Sequence, residues 1–162
     1  MRLLAIDPGE TVGMVILEYA LMHCPREEDE DKSVLASVKF IAAIDSPIEK
    51  FKQLFHPEQL GTGWEIGEVV AEDYRVFASK AEQHIGQRLV TAELIGRIEY
   101  VCERGGYVLH RVQPAKKGRW PEARLKAKFD WSSQVHGHAR DALKIGLVRI
   151  EENARCFADV ER

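Results

Sequence analysis

Apolar and polar positions fall into short blocks along the first half of the chain. Arg2 to Asp7 holds Leu3, Leu4, Ala5 and Ile6 as an apolar run that ends in an acid, and Pro8-Gly9 supplies the turn residues that stop it. A second run, Gly13 to Tyr19, makes a hairpin with the first, and Ser33 to Ile44 reads as a third strand, giving an antiparallel meander. Ser46-Pro47-Ile48-Glu49 has a capping hydroxyl, a first-turn proline and an acid three residues on, which predicts a helix through Phe51, Leu54 and Phe55, closed by Gly61 and Gly63. Glu68 to Glu72 is a fourth strand. Ser79-Lys80-Ala81-Glu82 is a second capping box, opening a long helix to about Glu103 that Gly105-Gly106 terminates. Tyr107 to Val112 is a fifth strand, after which Pro114, Gly118 and Pro121 divide the chain into turns or short helical pieces. Ala139, Ala142, Leu143, Gly146, Leu147 and Ile150 recur at spacings of three and four, predicting a closing helix with one apolar stripe for a sheet and a frayed tail after about Asn153. The order βββαβαβα is an α/β pattern: a mixed five-stranded sheet flanked by helices.

With 162 residues, 45% of them hydrophobic, the chain can bury the core of one ordinary domain, expected to span residues 1–162. The N-terminal run reaches Asp7 too soon for a signal peptide, and no apolar stretch has the length of a membrane span, so a cytoplasmic protein is expected, in the host cytoplasm if its source is viral. Cys24, Cys102 and Cys156 are too far apart for a zinc or redox motif and read as reduced. The net charge of −3 excludes a bulk polycation that coats nucleic acid. It hides a segregation of charge, however. Glu27 to Asp31 is one acidic block, whereas Arg111, Lys116, Lys117, Arg119, Arg124, Lys126 and Lys128 crowd a later segment opposed by Glu122 alone.

Chemistry is suggested by where the acids stand. Asp7 and Glu72 each end an apolar strand, and if those strands are neighbours the two carboxylates meet at the strand ends, where α/β sheets hold their working crevice. Converging buried acids need a partner, and a divalent cation is one. His138 and Asp141, three apart near the start of the closing helix, share a face and offer further ligands. Asp73 is a rival for Glu72, though as the next strand residue it should point the other way.

In this order the motifs resemble those of the RuvC-type Holliday junction resolvases. Asp7-Pro8-Gly9-Glu10-Thr11-Val12-Gly13 resembles their first motif, Glu72 with Phe77 the strand-end glutamate and nearby aromatic, and His138-Ala139-Arg140-Asp141-Ala142-Leu143 the closing helix motif. The resemblance covers nearly the whole chain. It implies an RNase H-like fold, a homodimer packed through the helix 79–103, and paired symmetric nicking of four-way DNA junctions. It also implies two Mg2+ ions per site, held by Asp7, Glu72, Asp141 and His138, with Asp7 shared between them. His138 stands where some members carry an acid, which favours Mn2+ as a substitute or preferred ion. The spacing from Glu72 to Phe77 is longer than in bacterial members. Tyr74 or Phe77 could stack on a base at the crossover, and Arg75, Lys80, Lys116, Lys117 and Arg119 complete the expected DNA contacts.

Three rivals stand beside this reading. Another RNase H-like nuclease, cutting flaps, mismatches or ribosomal RNA precursors, would carry the same carboxylates. An actin-like ATPase also has an Asp and two glycines after its first strand, as Asp7, Gly9 and Gly13 are placed, but needs two such domains. A non-catalytic junction-binding dimer would lack a carboxylate, and none is missing here.

Overall fold

The computed structural model describes residues 1–20, 37–56, 64–73 and 89–160, with side chains to Arg155. Five strands form one sheet in the order β3-β2-β1-β4-β5. β1 (Arg2–Asp7), β2 (Thr11–Glu18) and β3 (Lys39–Pro47) are the expected antiparallel meander, while β4 (Ile66–Glu72) runs parallel to β1 and β5 (Val108–Val112) parallel to β4. β1 is therefore central and covered on both faces, which is why it reads as an unbroken apolar run rather than an alternating one.

Alternation sorts the side chains into two cores. Leu4 and Ile6 of β1, Met14 and Ile16 of β2 and Val69 and Ala71 of β4 face α1 (Ile48–Leu54) and α2 (Val90–Gly105). Leu3 and Ala5, Val15 and Leu17, and Val70 face α4 (Gly137–Val160), which lays Ala139, Ala142, Leu143 and Leu147 along the sheet. A methyl at Gly146 would stand 3.1 Å from the Ala5 Cβ, so the small residue sets how closely α4 approaches. Between β5 and α4 lie a 3-10 segment (Pro114–Arg119), α3 (Glu122–Lys128) and a second 3-10 segment (Asp130–Gln134). They bring Trp120, Leu125 and Phe129 onto the α4 core.

Several boundaries differ from the sequence reading. Ser46 is not a helix cap: β3 continues through Pro47, Ser46 is fully buried, and α1 begins at Ile48 with no side-chain cap. The proline instead ends the strand that its neighbour on β2, Thr11, still pairs with. α2 ends as expected, at Gly106, whose φ of 70° is the left-handed turn that favours glycine. α4 runs on to Val160. β3 starts at Lys39 rather than Ser33, and α2 starts at Val90, where Leu89 is a non-helical N-cap with φ −86° and ψ 80°, so the helix expected from Ser79 to about Glu103 does not run through unbroken. The acidic block 27–31, Cys24, Gly61, Gly63 and the capping box at Ser79 lie outside the described residues. Among the described residues no helix is long and apolar enough to cross a membrane.

One ionic group lies within the α4 core. Glu68, 5% exposed on β4, accepts hydrogen bonds from Tyr19 Oη, from Asn153 Nδ2 at 2.9 Å and from Arg149 Nη2 at 3.3 Å, with His110 Nε2 3.2 Å away. Burial and the bond to Glu68 raise the Tyr19 hydroxyl well above its ordinary range, and burial beside Arg149 lowers His110. The buried acid is thus paired and fully bonded, as burial of a charge requires.

Candidate active site

Asp7 and Glu72 end the adjacent parallel strands β1 and β4, and alternation from Ala5 and Val70 turns both toward the α4 side. α4 begins over the same strand ends. His138 Nδ1 lies 3.3 Å from Asp7 Oδ2, and Asp141, one turn on, faces the same cavity. The four predicted residues Asp7, Glu72, His138 and Asp141 therefore meet, lining an open cavity of about 660 Å3 together with Pro8 and Gly9 of the β1–β2 turn. Asp73 also borders it, but the central contacts are made by Glu72.

At the focus of these groups stands Lys117. Its Nζ donates to Glu72 Oε2 at 2.7 Å and to Asp141 Oδ2 at 3.3 Å, with Asp7 Oδ1 at 3.5 Å. The sequence reading placed Lys117 with Lys116 and Arg119 on one basic surface. The 3-10 geometry separates them, because residues three apart eclipse one another in that helix. Lys116 and Arg119 share a face and both reach Glu152 of α4, at 2.6 and 3.9 Å. Lys117, one position on from Lys116, turns with Pro114 into the cavity.

The electrostatics follow from this packing. Burial pushes the Glu72 carboxyl up to about 7, the hydrogen bond with Asp7 acts in the same direction, and Lys117 opposes both. Burial alone would lower Lys117, but its bond to Glu72 and the surrounding carboxylates hold its ammonium above the usual lysine value. For Asp141, whose side chain is 43% exposed, Lys117 and Lys144 outweigh burial and lower the carboxyl. Lys144 joins Asp141 at 3.3 Å to Glu122 at 3.3 Å, and Glu122 in turn is held at about 2, first by its hydrogen bonds from Arg140.

The donor set, three carboxylates and an imidazole converging where one cation already sits, fits a hard divalent cation such as magnesium or manganese. Among the described residues no three histidine, cysteine or acidic side chains stand ready in metal-coordinating geometry. Tyr74, Arg75, Phe77 and Lys80 lie outside the described residues.

Sequence reasoning passed over Asp45. It stands two residues before the end of β3, beside Gly13 of β2, and its Oδ1 accepts the Ala139 amide of α4 at 2.5 Å. The signal was present, an apolar run closed by an acid, as in the two strands already singled out.

Sheet order, the acid-ended parallel pair and the closing helix over them define the RNase H-like α/β fold, in the form seen in RuvC-type resolvases. Solved structures similar to this chain include Thermus thermophilus RuvC in complex with a Holliday junction substrate, with a TM-score of 0.61 at 13% identity over 91% of each chain. Thermus thermophilus RuvC in a second structure gives 0.54 at 15% identity over 91% of this chain and 92% of that one. Fowlpox virus resolvase with Holliday junction DNA gives 0.56 at 14% identity over 93% and 99%. No protein-family model matches the sequence, and no curated protein matches it.

Proposed function

We propose that the protein is a structure-specific, metal-dependent endodeoxyribonuclease that resolves four-way DNA junctions by paired nicks. The observation that carries this reading is the convergence of Asp7, Glu72 and Asp141 on one cationic nitrogen at the carboxyl ends of parallel strands, in a fold shared with junction-bound resolvases. Divalent cations held by these three acids and His138 would neutralise the scissile phosphate and activate a water for hydrolysis. Asp7, on the central strand with Glu72 on the neighbouring one and His138 Nδ1 3.3 Å away, would serve as a ligand alongside both. Lys117 balances the acidic cluster in the free protein. Yielding that place to metal would leave its ammonium at the cavity wall, where an incoming phosphodiester needs positive charge. Lys116 and Arg119 can neutralise flanking phosphates once released from Glu152.

Paired nicking requires two such sites, so the protein is further proposed to act as a homodimer through the segment 79–103, whose described part is α2 and its N-cap Leu89. The row Leu94, Ile98 and Val101 is buried against the sheet, which leaves the exposed Ala92 and the half-buried Leu89 at the helix N-cap for a twin.

The reading is tested by supplying magnesium or manganese and matched four-way junction, flap, duplex and RNA substrates. Preferential paired cutting of the junction is expected. Asp7→Asn, Glu72→Gln and Asp141→Asn should each lose cutting by orders of magnitude while still binding the junction. Equal cutting of all substrates, or preference for RNA, would replace it with a general RNase H-like nuclease.

A further inference from the structure

The first turn of α4 carries His138 and reaches Asp141, so anything that fixes this turn sets the spacing of the metal-binding groups. The residue before the helix, His136, is not among the usual capping types. The capping carboxylate comes instead from another part of the chain. Asp45 Oδ1 accepts the Ala139 amide at 2.5 Å across 94 positions of sequence. Its other oxygen lies against Gly137, where a Cβ would stand 2.1 Å from Asp45 Oδ2 and where φ is 57°. A third point of closeness is Gly13, whose Cβ would fall 2.1 Å from the His138 carbonyl carbon. In the sheet Asp7 pairs with Gly13 and Gly13 with Asp45, so one row across β1, β2 and β3 supplies a site carboxylate, a seat for the helix and its cap.

The geometry points to Asp45 as a positioning residue: its carboxylate seats the first turn of α4 on Gly13, and so holds His138 against Asp7 and Asp141 within reach of the same cation. It makes no contact with the reacting groups itself. The inference rests on the proposed nuclease reading for its consequence in catalysis, but the seating can be measured without it.

The test compares the 162-residue protein with its Asp45→Ala and Asp45→Asn variants, since an asparagine oxygen can still accept the Ala139 amide and alanine cannot. Backbone amide exchange over residues 138–141 and the imidazole NMR shift of His138 report the seating directly. Mn2+ affinity, measured by titration with the metal alone, and kcat on a four-way junction report its effect. Asp45→Ala should speed exchange in this turn, move the His138 signal, and lower Mn2+ affinity and kcat about 10-fold or more with KM little changed. Asp45→Asn should stay within about threefold of the parent on each measure. Asp45→Ala with parental exchange, His138 shift and Mn2+ affinity would overturn the inference. So would Asp45→Asn as defective as alanine, which would make the charge itself the requirement. If the parent cuts no junction, the nuclease reading fails, while the exchange and imidazole measurements still decide the role of Asp45.

Discussion

At the scale of single residues the site is under electrostatic load. Glu72 is held at about 7 by burial and by its neighbour Asp7, against an ordinary 4.5. A carboxyl raised on folding stabilises the fold below its unfolded value and loses that contribution as pH climbs through the folded one. Without metal, the protein should therefore lose on the order of 2 kcal/mol from this group between pH 4.5 and pH 8. Thermal melts in chelator should show wild-type Tm falling over that range relative to Glu72→Gln, which has no such charge. Added magnesium should restore the wild type at pH 8 by binding the folded state, and leave Glu72→Gln nearly unmoved. Coincident melting curves for the two proteins at both pH values would contradict the load. His138 gives a second prediction at this scale. His138→Asp should keep activity and shift preference from manganese toward magnesium, and unchanged metal dependence would count against its ligation.

Elements carry the legible part of the fold. The acid-ended runs Leu3 to Asp7 and Glu68 to Glu72 and the three-and-four spacing from Ala139 to Ile150 gave the strands, the closing helix and the meeting of Asp7, Glu72, His138 and Asp141. What could not be read was contact between elements. That Lys117 turns inward while Lys116 turns to Glu152 depends on a 3-10 segment, and charge composition has no period from which to see it. Ser46 fits a capping box, yet pairing with Val12 on β2 keeps it in the strand. In the sequence Gly13 opens the second apolar run and closes the first motif, whereas in the fold it also admits the His138 backbone. Gly13→Ala should accordingly force α4 off the sheet end, costing about 1–3 kcal/mol by overpacking. Chemical denaturation measures that loss, and cleavage should fall with it. An alanine accommodated at neutral stability would mean that the helix has room to move.

For the whole molecule, α2 decides between core and interface. Leu94→Lys places a charge in the core beneath the sheet and should abolish folding, whereas Leu89→Lys, at the N-cap of the helix, should leave a folded protein that sediments as a monomer and no longer makes paired cuts. A wild-type monomer at micromolar concentration that still resolves junctions would remove the dimer. The other long helix, α4, is fastened at both ends of one sheet face. Near its start Asp141 shares Lys117 with Glu72, and further along Arg149 and Asn153 grip Glu68 at the opposite end of the same strand. Two fixings on one rod make a gauge: the distance between them is set in whole residues and admits no slip. One alanine inserted between Asp141 and Arg149 would turn everything beyond it by about 100°. Either the cutting end or the anchoring end could then be aligned, but not both, so this stretch of helix should tolerate substitution on its outer face far better than any change in its length.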